Sequence, residues 1–113
     1  MEIRNWTSHY HWGDCENLVT DYGLLKVEFV NGTDWGFVQG LGVHPDHRRQ
    51  GIATALVMRA EELILERGLT EVIIYVDKDK PENKEFWTQL GYSYTLLVDY
   101  YLEEWHKRLN STL

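Results

Sequence analysis

The sequence predicts a single α/β domain over residues 1–113, in which a β-hairpin is followed by a β-α-β-α-β arrangement around a mixed sheet. One observation is the alternation of apolar and polar residues on both sides of Asn31-Gly32, which is typical of a hairpin turn. Another is an apolar stripe at helical spacing in the middle of the chain, followed by a run of β-branched residues. A chain of 113 residues is also long enough to bury one core.

The first part of the chain favours strands. Residues 2–12 are rich in aromatic side chains and roughly alternate, whereas residues 14–21 are expected to form one short helical turn or a loop. Residues 23–30, GLLKVEFV, have the period of two that marks a half-buried strand, and residues 35–43 form the return strand. Glycines inside this return strand predict a bulge or a place where a ligand approaches the backbone: Gly36, Gly40 and Gly42.

The second part of the chain predicts alternating helices and strands. The apolar stripe over residues 51–67 predicts a helix, which Gly68 ends at the position after its cap. The tail YYLEEWHKRL fits a strand by alternation and a helix by spacing, and the conformation of residues 99–113 is left open. Between these, the pattern predicts a strand, a second helix and a third strand over residues 71–76, 82–90 and 92–98.

Composition excludes several classes of protein. The net charge of −7 argues against non-specific nucleic-acid binding, and the acidic first part of the chain would attract a cationic partner. No segment is long and apolar enough for a membrane span, and the N-terminus does not read as a signal peptide. The single cysteine, Cys15, excludes an internal disulfide and favours a reducing cytoplasm. The histidines follow no ligand motif, so no metal site is expected.

The clearest chemical signal is the segment HRRQGIA, between the return strand and the first helix. The first N–H groups of a helix have no intrahelical partner and favour an anion. Gly51 lets a ligand approach the backbone, and Arg48 and Arg49 add charged donors. The segment therefore predicts a phosphate or pyrophosphate site.

The longer pattern from Leu41 to Ala53 closely resembles the acetyl-CoA motif of the GNAT superfamily of N-acetyltransferases. The core of that motif, R/Q-x-x-G-x-G/A, is matched by Arg48, Gly51 and Ala53. Downstream, FWTQLGY at residues 86–92 is similar to the end of that family's second helix. The resemblance implies a GNAT-like fold and acetyl-CoA as co-substrate, and it spans residues 35–92.

The resemblance also implies a function and a set of binding residues. The chain would transfer the acetyl group of acetyl-CoA directly to a primary amine of a basic small molecule or protein. The alternative is a CoA-binding or protein-interaction module without turnover. Free backbone groups of Leu41, Gly42 and Val43 would hold the pantetheine arm. The pyrophosphate would lie against the turn and the start of the helix: Arg48, Arg49, Gln50, Gly51, Ile52 and Ala53.

The chain departs from the family pattern in its second helix. Trp87 stands where the family usually has the tyrosine that protonates the leaving thiolate, so Tyr92 becomes a candidate acid while Trp87 keeps a place at the cofactor. Lys80 stands where the family often has an asparagine that contacts the cofactor. Asn83 lies one helical turn away and joins Lys80 as a candidate cofactor contact.

The chain also departs from the family pattern before the motif. The family builds much of its acceptor site from an N-terminal strand and two helices, for which the segment before Arg48 is too short. Glu28 and Asp34 are the candidate general bases, since the strand that often carries the base has Gln39 instead. Fifteen aromatic residues and the reduced acceptor side predict a homodimer.

Overall fold

The computed structural model describes residues 1–110 and contains one seven-stranded sheet and two α-helices. The strand order across the sheet is β1-β2-β3-β4-β5-β7-β6. The strands are β1 (Arg4–Tyr10), β2 (Gly13–Val19), β3 (Gly23–Val30), β4 (Trp35–Val43), β5 (Glu71–Asp77), β6 (Ser93–Leu97) and β7 (Leu102–Arg108), and the helices are α1 (Ile52–Glu66) and α2 (Pro81–Gln89).

Every neighbouring pair of strands is antiparallel except β4 and β5, which are parallel and joined through α1. This mixed sheet confirms the predicted fold class. Both helices lie on one face of the sheet, because their buried side chains join a single core with the inward residues of the central strands. That core is built on Leu25 and Val27 of β3, Val38 of β4, Val72, Ile74 and Val76 of β5, Leu56, Val57, Ala60 and Ile64 of α1, and Trp87 of α2.

The prediction of a turn or loop over residues 14–21 is wrong, because β2 occupies most of that segment. Its polar side chains hide the alternation, and they are accommodated by cross-strand hydrogen bonds. Thr7 of β1 donates to the Glu16 carboxylate at 2.6 Å, and the Asn17 amide donates to the Ser8 hydroxyl at 3.1 Å. The open question of the tail is resolved as a strand, since β7 pairs along its length with β5. Residues 111–113 of that tail lie outside the described part of the chain.

The face of the sheet opposite the helices carries large exposed side chains, among them Trp6, Leu24, Trp35 and Tyr75. Within residues 1–110 no helix packs on this face, since both helices contribute to the core on the other side. We call it the open face. In the described part of the chain, neither helix is long and apolar enough to cross a membrane.

Candidate functional site

Strands β4 and β5 part halfway along their length. Their pairing runs from Trp35 opposite Glu71 to Val38 opposite Ile74 and then stops. On the β3 side of β4 the register shifts, and Gly40 has a φ of 69°, as expected for a bulge. The end of β4, from Gly40 to Val43, therefore turns its backbone groups toward an opening in the sheet.

A short turn connects the end of β4 to α1. The His44 ring accepts a hydrogen bond from the Asp46 amide at 3.2 Å, and a single 3-10 turn, Pro45–His47, follows. The His47 ring stacks on Tyr22 of the β2–β3 turn, with ring centroids 3.5 Å apart. The His44 amide also donates to the Tyr22 carbonyl at 2.7 Å, so the turn is fixed to the neighbouring loop.

The end of this turn has the backbone conformation that an anion site requires. Arg49 and Gly51 have positive φ values of 62° and 79°. Gly51 caps α1 without a side-chain hydrogen bond, and the first-turn N–H groups of Ile52, Ala53 and Thr54 have no intrahelical partner. A Cβ built on Gly51 would meet no protein atom within 4 Å, so the space beside it is open.

The opening and the turn form one cleft with a volume of about 720 Å³. It lies on the helix-covered side, and α2 forms its other wall. The structure brings together most of the residues predicted to bind the cofactor: Leu41, Gly42, Val43, Arg48, Arg49, Gly51, Ile52, Ala53, Lys80 and Asn83. His47, which lies beside the two arginines in the sequence, also lines the cleft. Four further lining residues were not predicted, because the packing of α1 and α2 brings them there: Thr54, Glu82, Phe86 and Gln89.

The cleft gathers positive charge in an acidic protein. Within residues 1–110, Arg48, Arg49 and Lys80 make no salt bridge, whereas several other basic residues pair with carboxylates. The Arg48 Nε donates only to the Val43 carbonyl, at 3.4 Å. Three unpaired cations at a helix N-terminus suit a ligand that carries phosphate groups.

Two predicted residues belong to the core instead of the cleft. The ring of Trp87 is 8% exposed and meets those of Phe86 and Tyr92 edge to face, so its predicted contact with a cofactor is not supported. The Tyr92 hydroxyl donates to the Glu61 carboxylate at 2.8 Å. Burial, and then the charge of Glu61, raise the pKa of Tyr92. Tyr92 therefore does not reach the cleft as an acid. Gln50 is exposed on the turn and does not line the cleft.

The two candidate bases lie in different places. Asp34 precedes β4 at its far end, seven residues before Leu41, which corresponds to about 23 Å at ~3.3 Å per strand residue. The structure therefore does not support Asp34 as a base. Glu28 is half-buried on the open face, opposite Phe37 of β4.

Glu28 lines a second pocket, with a volume of about 380 Å³, on the open face. Gly40 belongs to this second pocket and Gly42 to the cleft, so the two spaces flank the same end of β4 from opposite faces of the sheet. Burial, and then the neighbouring Glu28 carboxylate, raise the pKa of the Cys15 thiol at its floor. The other lining residues are Tyr10, Trp12, Leu24, Lys26 and Gln39.

Comparison with known proteins gives a consistent picture. The model of the acetyltransferase (GNAT) family matches residues 3–92. A Yersinia pestis protein named acetyltransferase is 35% identical in an alignment 97 residues long, and the match covers 72% of this chain and 69% of the relative.

Solved structures share the fold at low sequence identity. The Thermoplasma acidophilum PaiA N-acetyltransferase, in complex with coenzyme A, superposes with a TM-score of 0.73 at 16% identity, covering 83% of this chain and 59% of that one. A Bacillus anthracis protein assigned as a streptothricin acetyltransferase, in complex with acetyl coenzyme A, gives a TM-score of 0.74 at 11% identity. There the match covers 89% of this chain and 65% of the other. This chain therefore spans less than two thirds of either solved protein.

Proposed function

The chain belongs to the GNAT family of acetyltransferases, and we propose that it transfers the acetyl group of acetyl-CoA directly to a primary amine of a basic small molecule or protein. The observation that carries this proposal is the parting of β4 and β5 beside an open, positively charged turn. Two acetyltransferases of the same fold are solved with coenzyme A or acetyl coenzyme A.

The residues of the cleft fit the chemistry of acetyl-CoA. The amides at the start of α1, with Arg48 and Arg49, suit a pyrophosphate, and the open space beside Gly51 is one that a Cβ would fill. The edge of residues 41–43 that β5 leaves unpaired suits the amide-bearing pantetheine arm. Lys80, at the N-cap of α2, and Asn83 within α2 supply polar groups on the opposite wall.

The chain would promote the transfer mainly by holding the two substrates close together and by donating a backbone hydrogen bond to the thioester. The acetyl-CoA thioester supplies the activated acyl group. A backbone N–H at the end of β4 would donate to its carbonyl oxygen and stabilise the negative charge that develops there. The amine nitrogen forms the new bond to the acyl carbon, the carbon–sulfur bond breaks, and the amine proton leaves to water. The thiolate is then protonated from water, because the hydroxyl of Tyr92 is buried elsewhere.

Glu28 is too far from Gly40 to remove the amine proton directly. It faces Phe37 in register, and Gly40 lies three residues further along β4, which corresponds to about 10 Å. A base must reach its proton directly or through one water molecule. Water in the second pocket is therefore the proposed proton acceptor, and the rate should rise with pH as the free amine becomes more abundant.

The second candidate function, a CoA-binding module without turnover, is favoured by one observation. The only candidate acid, Tyr92, is buried outside the cleft, and a buried tryptophan, Trp87, stands where the family usually has its acidic tyrosine. The two functions differ in one measurement, the release of free CoA thiol from acetyl-CoA in the presence of a panel of amines.

The test of the proposed function combines binding with turnover. Calorimetry should show acetyl-CoA binding, and Arg48→Ala should weaken it by about 1.5–3 kcal/mol, the usual value of a hydrogen bond to a charged group. Arg4→Ala, on β1 at the other end of the sheet, serves as the control and should leave the affinity unchanged. Binding without thiol release for every amine would support the non-catalytic module. Absence of binding would contradict both functions.

We also propose a cytoplasmic homodimer. The free, buried thiol of Cys15 suits a reducing compartment. The outer strand β6 is exposed along its whole length, and Leu96, Leu97 and Val98 present apolar side chains at an unpaired strand edge. Sedimentation should give twice the monomer mass, and Leu96→Lys should shift the protein to monomer. A monomer at all micromolar concentrations would contradict the dimer.

A further inference from the structure

The second pocket has the composition of a site for an organic cation. The rings of Tyr10 and Trp12 stack with centroids 4.9 Å apart and planes within 6°. Glu28 lies beside them in the same pocket and makes no salt bridge within residues 1–110. Aromatic faces attract organic cations, and a half-buried carboxylate without a partner adds a full negative charge.

The aromatic wall is held rigidly by the β1–β2 hairpin. The Asn31 amide donates to the Trp12 carbonyl at 2.8 Å, and the Asn31 side chain donates to the His11 carbonyl at 3.1 Å. Gly13 has a φ of 147°, and a Cβ there would lie 2.0 Å from the Phe29 carbonyl oxygen. The hairpin turn is therefore packed against β3, so the backbone that carries the two stacked rings is fixed next to Glu28.

The charges along the pocket constrain the shape of the ligand. Glu28 lies at the hairpin end, about 10 Å along the strands from Gly40 at the parting of β4 and β5. Lys26 lies between them on the same face of β3, opposite Gln39, so it places a positive charge about 7 Å along the strands from Glu28 and one residue short of Gly40. Cys15 of β2 and Gln39 of β4 also line the pocket, and neither side chain is charged. Among the described lining residues, Lys26 is therefore the only charged group besides Glu28.

We infer that the acceptor is an elongated amine with a second cationic group, which binds between Glu28 and the stacked rings of Tyr10 and Trp12 while the reacting amine lies at Gly40. The part of the acceptor that passes Lys26 is uncharged. The inference rests on the proposed function, because the proposed function places the acetyl transfer at the end of β4, beside Gly40. It makes Glu28 an anchor for the substrate, and it makes the β1–β2 hairpin a wall of the acceptor site.

The experiment measures binding without turnover. The protein is saturated with CoA, and 1,6-diaminohexane is titrated in by calorimetry, with 1-aminohexane as the matched ligand that lacks the second cation. The diamine should bind at least about tenfold more tightly, and Glu28→Gln should remove that preference. A second carboxylate on the open face, Glu104 of β7, provides the control, since Glu104→Gln should retain the preference.

Three further measurements sharpen the test. Trp12→Leu should reduce the diamine affinity while the affinity for 1-aminohexane changes little. A triamine with a central secondary ammonium should bind more weakly than the diamine, because Lys26 repels its middle charge. In the transfer assay, Glu28→Gln should raise KM for the diamine without lowering kcat.

The outcomes separate the inference from the proposed function. Equal binding of the diamine and the monoamine, or a preference that survives in Glu28→Gln, would overturn the inference even if acetyl transfer occurs. Glu28-dependent binding of the diamine with no acetyl transfer to any amine would contradict the proposed function and leave the cation site standing. Thermal melting of each variant checks that it is folded.

Discussion

The two faces of the sheet differ in what covers them and in how they are held. On the helix-covered face, side chains such as Leu25, Val27 and Leu56 are almost fully buried in one apolar core. On the open face, the large side chains are largely exposed, and order comes from tight turns and from polar contacts between strands. The difference separates two tasks, since the covered face supplies stability and the cleft, while the open face supplies a second pocket.

The end of β4 is where the two faces meet. Gly42 lines the cleft on the covered side, and Gly40 lines the second pocket on the open side. A segment with one open edge and small side chains can therefore be approached from both faces of the sheet at once. The following changes test whether the faces are as different as the structure indicates.

The largest effect is expected at the turn that shapes the open face. Gly13→Ala places a Cβ against the Phe29 carbonyl at a left-handed backbone position. It should destabilise the protein by about 3 kcal/mol or more, through strain and overpacking together. Gly32→Ala is the matched control, because φ is also positive there and a Cβ meets nothing within 4 Å. Denaturant unfolding measures the unfolding free energy of both variants. An equal loss of stability in both would show that the contact between the new Cβ and the Phe29 carbonyl relaxes at little cost.

A matched pair of leucines compares the faces directly. Leu56 of α1 is 0% exposed and Leu24 of β3 is 48% exposed. Leu56→Ala should cost about 2–5 kcal/mol of unfolding free energy, because it leaves a cavity in the core. Leu24→Ala should cost less than about 1 kcal/mol. Similar losses would mean that the open face is covered in solution, for instance by a second copy of the chain.

A smaller effect is expected at the buried tyrosine of the covered face. Tyr92→Phe removes the hydrogen bond to Glu61, which keeps its contact with Lys107 at 3.0 Å. The loss should be about 1 kcal/mol of stability. Acetyl transfer and its pH profile should stay unchanged, because the hydroxyl lies outside the cleft. A tenfold fall in turnover in a stable variant would restore Tyr92 as the acid.

The smallest effect is expected in acid, at the edge where β2 meets the end of α1. A hydrogen bond with His9, and then one from Arg67, lower the pKa of Asp14 below its usual 3.8. This contribution to stability is present above the unfolded-state pKa and is lost as the pH falls through the lower folded-state value. Asp14→Asn should make the unfolding free energy less dependent on pH below about 4. An unchanged acid dependence would contradict the assignment.

Much of this fold could be predicted from periodicity. The strands at Gly23–Val30 and Trp35–Val43 and the helix after Gly51 have strong apolar patterns and clear glycine signals. Strand β2 could not be predicted, because its polar residues are satisfied by partners on another strand, which the sequence does not reveal. The tail fits both a strand and a helix by its sequence, and it forms a strand because it pairs with the edge of β5.

The candidate site likewise contains residues that the local sequence predicts and residues whose place depends on contacts far along the chain. The turn from Arg48 to Ala53 is local, so its residues and spacing predict it directly. Glu28, Asp34 and Tyr92 depended on long-range placement, and register put the first on the open face, the second at the wrong end of β4 and the third in the core. The second pocket is lined by residues of four strands and a hairpin turn, so no single segment of the sequence predicts it.

The central claim is that the turn after β4 binds acetyl-CoA, and two glycines with the same positive φ test it most directly. Gly51 and Gly68 both have a φ of 79°, and at each a Cβ would meet no protein atom within 4 Å. Valine at either position therefore carries similar backbone strain, but only Gly51 lines the cleft. Calorimetry should show that Gly51→Val abolishes acetyl-CoA binding while folded Gly68→Val binds like the wild type. Unchanged affinity in folded Gly51→Val would contradict the account.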